Sequence, residues 1–208
     1  DPPEPGTPAG PVYQWANRVL ERKVVRTCDR VVASTTPLRD LLRARYPDEP
    51  EDKLVAILNG YDEADFMSLP IATTADRERL VIVHAGSINA GFRDPRPLCV
   101  ALRGAADRKE IDLGKICLRF IGGGAFAEAE DMRQSIQDHR LERVVEFMPR
   151  VAYDQSLLEL SRASVLLLLQ TSPDTASVVP AKLYEYLRTF KPVLALVGGL
   201  LACGGLPA

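Results

Sequence analysis

Between Leu80 and Leu196 short apolar runs alternate with segments of about ten residues that carry helical periodicity. The runs at 80–85, 116–121, 143–147, 164–169 and 192–196 read as buried strands, and 95–108, 126–138, 153–162 and 180–189 read as helices. Strands that are apolar almost throughout, each followed by a helix, imply crossover units and a parallel sheet covered on both faces. The fold class that follows is α/β with a Rossmann-like parallel sheet. In such a sheet ligands bind outside the carboxyl ends of the strands. The turns after residues 85, 121, 147 and 169 are therefore where chemistry is expected.

The first third of the chain is different. Residues 1–11 hold five of the 16 prolines and read as a flexible or extended lead-in. Trp15, Val19, Leu20 and Val24 recur at helical spacing within 13–27, and "RVVAS" at 30–34 reads as a strand. Thr35, Thr36 and Pro37 form a helix start, with Leu38, Leu41 and Leu42 behind it. "KLVAILNGYD" is a second strand closed by the turn Asn59-Gly60. Residues 67–79, rich in Pro, Ala, Thr and charge, read as a linker between a segment at 12–66 and a domain at 80–208. The apolar stretch "VLALVGGLLACGGLPA" has 16 residues and too many glycines for a membrane span, so it reads as a buried strand and a loose tail.

Composition excludes several functions. Twenty-six basic and 28 acidic residues leave a net charge of −2 without a basic block, so nucleic acid is not expected as a partner. The four cysteines, Cys28, Cys99, Cys117 and Cys203, lack C-x-x-C spacing, and His84 and His139 lie far apart. Neither a metal site nor a disulfide framework is expected, and reduced thiols suit a cytoplasmic protein.

Three turns could carry chemistry. In "HAGSINAGFRDPRPL" at 84–98, Gly86 allows close backbone approach, while Arg93 and Arg96 flank the start of a helix; exposed N–H groups and an arginine together can hold a phosphate. An ordinary loop with solvated arginines reads equally well, and His84 reads as a locally bonded strand-end histidine. In "RFIGGGAFAEAED" at 119–131, Gly122, Gly124 and Ala127 satisfy G-x-G-x-x-A, with Glu146 near the place of a ribose-binding acid. An NAD(P)-binding module is the rival this raises, although the glycines follow the second strand of the domain rather than the first. In "QTSPDTASVVPAKLYEYL" at 170–187, Ser177 to Pro180 start a helix on which Glu185 could accept two hydrogen bonds from a diol such as ribose, with Leu183 and Leu187 turned to the sheet. A solvated helix glutamate is the plainer alternative.

Six segments, "RTCDRVVASTTPLRDLL", "KLVAILNGYDEADF", "IVHAGSI", "RFIGGG", "RVVEFMPRVAYDQSLLELSRASVLLLL" and "VPAKLYEYLRTFKPVLAL", occur in the order found in family 4 glycosyltransferases, which the chain resembles from about Trp15 to Leu196. The resemblance implies a glycosyltransferase B fold of two facing Rossmann-like domains, truncated here at both ends. Residues 12–66 would close the acceptor-side domain and residues 80–208 would be an incomplete donor-binding domain, unable to complete catalysis alone. The implied activity is transfer of a sugar from a nucleotide diphosphate sugar to a sugar or lipid-linked glycan acceptor in surface polysaccharide or glycan biosynthesis, with retention of configuration and no metal or other cofactor. The implied place is the cytoplasm, with peripheral association at the inner face of the membrane through the absent domain. A nucleotide-sugar epimerase of the same fold is the alternative within enzymes.

The resemblance also assigns residues. Glu185 matches the second glutamate of the family's E-x7-E signature, which binds the donor ribose, and Ser177 falls at the first. Ser87 stands where many members carry arginine, so Arg93 and Lys182 are the expected phosphate-binding groups. Phe190 replaces a small residue. Gly86, Ser87, Arg93, Gly122, Gly123, Ser177, Lys182 and Glu185 thus form the expected donor site. The family's acceptor-side catalytic groups have no counterpart, and none is assigned.

Overall fold

The computed structural model describes residues 10–69, 78–172, 178–198 and, as backbone, 200–204. Most of the lead-in, the linker positions 70–77 and Ser177 lie outside the described residues.

The first segment contains α1 (Pro11–Thr27), β1 (Val31–Ala33), α2 (Thr36–Arg45), β2 (Leu54–Ala56) and α3 (Glu63–Met67). Thr35 caps α2, its hydroxyl accepting from Leu38 N at 3.1 Å, and Pro37 sits in the first turn, where its missing N–H costs nothing. β1 and β2 pair in parallel, Val31 with Leu54 through Ala33 with Ala56. In α1 only Val25 is buried. The apolar stripe that announces this helix, Trp15, Val19, Leu20 and Val24, is exposed.

The second segment contains β3 (Leu80–Ala85), α4 (Arg96–Asp107), β4 (Ile116–Ile121), α5 (Glu130–Asp138), β5 (Val145–Met148), α6 (Tyr153–Arg162), β6 (Val165–Gln170), α7 (Ala181–Arg188), β7 (Val193–Val197) and β8 (Leu200–Gly204). Its sheet has the order β5-β4-β3-β6-β7-β8, parallel through β7 with β8 antiparallel at the edge. From β3 the chain builds outward through β4 and β5, then returns to β6 on the other side of β3. The topological switch point therefore lies between β3 and β6, where the helices that follow diverge and leave a crevice.

Side-chain alternation assigns the two faces. Ile82, Leu118, Phe120 and Leu167 pack with Leu98 and Leu102 of α4 and Met132 of α5. Val81, Val83, Leu166 and Leu168 pack with Leu157 and Leu160 of α6 and Tyr186 of α7. The strands are buried on both sides, as their uninterrupted apolar runs require.

Several boundaries differ from the sequence reading. The helix expected at 126–138 is broken: Ala125–Glu128 is a 3-10 turn, Ala129 is extended, and α5 starts at Glu130. The strand expected at 143–147 starts at Val145, because Val144 N closes a turn onto Leu141 O at 2.9 Å. The tail expected to be loose instead pairs as β8, Leu196 opposite Leu201. Among the described residues no helix is long and apolar enough to cross a membrane.

Three contacts join α3 and its preceding turn to α7. Asn59 Nδ2 donates to Val179 O at 3.2 Å, Arg188 pairs with Glu63, and the Arg188 guanidinium lies 5.3 Å from the Phe66 ring centroid and 5.9 Å from that of Phe190. Phe190 is the residue that ends α7, and it does so with φ +55°, a conformation a side chain disfavours, while its ring is 74% exposed. Phe190→Gly is expected to stabilise the chain by about 0.5–1 kcal/mol, the left-handed strain removed less the backbone freedom glycine gains when unfolded. Urea unfolding of the two proteins measures it, and a loss of stability would show that the aromatic contact outweighs the strain.

Candidate functional site

The carboxyl ends of β3, β4 and β5 open onto a cavity of about 920 Å³, within the range of small-molecule sites. Its wall is backbone-rich: Gly86 and Ser87 after β3, residues 122–124 after β4, Pro149 to Val151 after β5, and Tyr153 at the start of α6. Two hydrogen bonds knit the first two turns together, Gly86 N to Ile121 O at 2.8 Å and Ile88 N to Gly123 O at 3.0 Å.

Gly86 has a chemical reason to be glycine. Its φ is +110°, and a Cβ there would stand 2.9 Å from Lys182 Nζ. The Lys182 side chain runs from the first turn of α7 to this bare backbone, where its ammonium donates to Ala85 O at 2.6 Å. Arg93 reaches the same turn from the other side, Nη1 donating to Ser87 Oγ at 3.2 Å. Burial and, next, the Arg93 guanidinium push Lys182 down to about 8, with Glu185 opposing them weakly. Among the described residues neither Lys182 nor Arg93 forms an ion pair with a carboxylate. Two cations held side by side on a glycine turn at the switch point form a place for an anion with more than one negative charge.

Glu185 lies one turn beyond Lys182, at the rim. Its Oε1 accepts from the Tyr153 hydroxyl at 3.0 Å across the mouth between α6 and α7. Burial, then the Glu185 carboxylate and, less, that of Asp65 hold the Tyr153 phenol up at about 12, so it stays a donor. The helix face opposite Glu185 differs from expectation: Leu183 packs on the core, but Leu187 is exposed and Tyr186 is the buried anchor. Tyr186 donates to Leu167 O at 3.3 Å and accepts from Ala85 N at 3.3 Å, which fixes α7 against the strand that carries Gly86.

His84 is fully buried beneath this turn, its Nδ1–H donating to Leu167 O at 2.9 Å. Burial, then the Lys182 charge, lower it to about 3, so it is a neutral structural group. Glu146, the acid of the dinucleotide reading, is engaged elsewhere: Arg119 donates to it at 3.0 and 3.1 Å and Arg79 at 3.4 Å. The glycines 122 and 124, both with positive φ, lead into the 3-10 turn rather than directly into a helix.

Of the expected residues, Gly86, Ser87, Gly122 and Gly123 line the cavity; Lys182 and Arg93 do not line it but contact the 85–87 turn, and Glu185 is joined to it through Tyr153; Ser177 lies outside the described residues. Sequence reasoning marked the turn after β5 by position alone and assigned no residue in it, and it missed Tyr153. The only signal for them was their place at a strand's carboxyl end. Among the described residues no group of three or more His, Cys, Asp and Glu is placed to hold a metal ion.

No protein-family model matches the chain, and no curated protein matches it significantly in sequence. Solved structures do resemble it. Alr3699/HepE from Anabaena, in complex with UDP and glucose, superposes with a TM-score of 0.65 at 19% identity over 89% of this chain and 49% of that one. A glycosyltransferase from Rickettsia africae gives 0.62 at 16% identity, over 93% and 50%. The pneumococcal O-GlcNAc transferase GtfA, in complex with UDP and GlcNAc, gives 0.58 at 15%, over 88% and 32%. The likeness is one of fold: the chain has the α/β fold of part of these glycosyltransferase B structures. The chain spans about a third to a half of the length of these proteins.

Proposed function

We propose that this chain is the donor-binding portion of a glycosyltransferase, which moves a sugar from a nucleoside diphosphate sugar to a glycan acceptor. The observation that carries the reading is the Lys182 ammonium, held with Arg93 against the Gly86 turn with no carboxylate in ion-pair contact among the described residues. Such charges are costly to bury and are retained where a ligand completes them. A diphosphate fits their number and spacing, and the occurrence of UDP in the structures of HepE and GtfA supports the same class of ligand.

In this reading the two cations and the N–H groups of the 86–88 turn hold the diphosphate and stabilise the charge that grows on it as the glycosidic bond breaks. Glu185 takes the ribose hydroxyls and orients the donor. Lys182 and Arg93 supply positive charge that a divalent ion would otherwise provide, so binding is expected to persist in EDTA. The reading includes retention of configuration, an acceptor that is a sugar or lipid-linked glycan, and a cytoplasmic site of action at the inner face of a membrane. It assigns no acceptor-side catalytic group.

Calorimetric titration of the folded chain with UDP, GDP, dTDP and NAD, each with EDTA, tests it. At least one nucleoside diphosphate is expected to bind. Binding of NAD alone, or of none of the four by a chain with a cooperative melt, would overturn the assignment.

A further inference from the structure

We propose that Tyr153 is a specificity-determining residue of this site, making it select ribonucleosides over 2′-deoxyribonucleosides by fixing the Glu185 carboxylate. The proposal rests on the nucleoside diphosphate reading above, with Glu185 on the ribose, and adds to it the residue that positions Glu185.

Tyr153 and Glu185 come from different helices, and their 3.0 Å hydrogen bond spans the rim of the cavity that Tyr153 itself lines. A carboxylate offers about four acceptor positions, and the phenol uses one of them, leaving enough for both hydroxyls of a vicinal diol. A partly exposed glutamate with no anchor samples several rotamers and loses that freedom when a ligand binds. The Tyr153 bond holds the carboxylate beside the cavity beforehand and leaves its remaining acceptor positions for a ligand there.

Fixing has a consequence for discrimination. A mobile carboxylate can turn to give a single hydroxyl its best geometry, and so distinguishes a diol from a lone hydroxyl poorly. An anchored one cannot turn, and a nucleotide lacking the 2′-hydroxyl leaves one acceptor position unmatched. Tyr153 is half exposed, so its ring is not needed to fill the core, and Tyr153→Phe removes only the hydroxyl.

The test is calorimetry of the parent chain and Tyr153→Phe with UDP, 2′-deoxy-UDP and inorganic pyrophosphate, with thermal melts to show that both are folded. The parent is expected to prefer UDP to 2′-deoxy-UDP by roughly tenfold, the effect of one hydrogen bond to a charged group. In Tyr153→Phe the preference is expected to shrink to about twofold, while pyrophosphate affinity stays unchanged. An unaltered UDP to 2′-deoxy-UDP ratio overturns the role of Tyr153 and leaves the donor site standing. Pyrophosphate binding as tightly as UDP to the parent shows that no ribose is recognised, and overturns both.

Discussion

Lys182→Met is expected to weaken binding of a nucleoside diphosphate by roughly 10- to 150-fold, the range for a lost hydrogen bond to a charged group, and at the same time to make the free protein more stable. Both effects come from one feature. The ammonium donates to Ala85 O, lies against Gly86 and feels the Arg93 cation more strongly than the Glu185 carboxylate, so in the free protein its desolvation is only partly offset. In the unfolded chain lysine keeps its proton to about pH 10.5, whereas the folded group releases it at about 8. Between these values the unfolded state binds more protons, so stability rises with pH; below 8 the charged group lowers stability by roughly 3 kcal/mol. Methionine keeps the stem and removes the charge. Urea unfolding at pH 7 and pH 9.5 should show the parent gaining stability over that interval and the variant already stable at pH 7. Anion affinity of the parent should fall as pH rises through 8, because the ammonium is lost. A variant that binds UDP like the parent would remove Lys182 from the site.

The largest effect on folding is expected at Arg119→Met, about 3–5 kcal/mol, the usual result of removing one member of a buried ion pair. Arg119 sits in the middle of β4 on the face covered by α6, its side chain 17% exposed. Its guanidinium donates to Glu146 at 3.0 and 3.1 Å and to Glu159 at 3.1 Å, so one cation satisfies two carboxylates from different elements. Arg79 also reaches Glu146, at 3.4 Å, and Arg162 reaches Glu159, at 3.7 Å, both longer contacts than those of Arg119. Burial acts to raise Glu146, but hydrogen bonds from Cys117 and Arg119 more than offset this and hold it below the ordinary carboxylate value. In the parent its contribution is therefore present above the unfolded carboxylate pKa and lost as pH falls. In the variant the carboxylates keep only the longer contacts to Arg79 and Arg162, so that slope flattens and the loss should be smaller in mild acid. Denaturation at pH 7 and pH 5 measures both, and a loss under about 1 kcal/mol would mean that the pairs are solvated.

The architecture was readable because parallel strands buried on two faces leave uninterrupted apolar runs, of which "VLLLL" before Gln170 is the plainest. Placing a ligand at strand ends follows from that topology, and it pointed to Gly86 and Arg93 after β3; Lys182 came only from the resemblance, and the structure sets it against Gly86. What was not readable depends on contacts distant in sequence. The break at Ala129 and the late start of β5 are local turn geometry that apolar periodicity does not record. β8 exists because β7 offers it an edge, and its Gly- and Leu-rich sequence resembles a tail. Tyr153 and Glu185 are 32 residues apart and meet only because α6 and α7 border the same opening. The exposed stripe of α1 marks the opposite limit, since periodicity announces a helix without saying what its apolar face meets.

The central claim is that Glu185 binds the ribose of a nucleotide whose diphosphate lies on Lys182 and Arg93, and one comparison tests it most directly. Glu185→Gln keeps the size of the side chain and its helix preference but removes the charge. Titrated with UDP and with inorganic pyrophosphate, the variant is expected to lose about 1.5–3 kcal/mol of UDP affinity, to bind pyrophosphate like the parent, and to unfold within about 0.5 kcal/mol of it, as a partly exposed helix position should. Unchanged UDP affinity together with lost stability would contradict the account, because Glu185 would then be a structural residue and the crevice would have no ribose site.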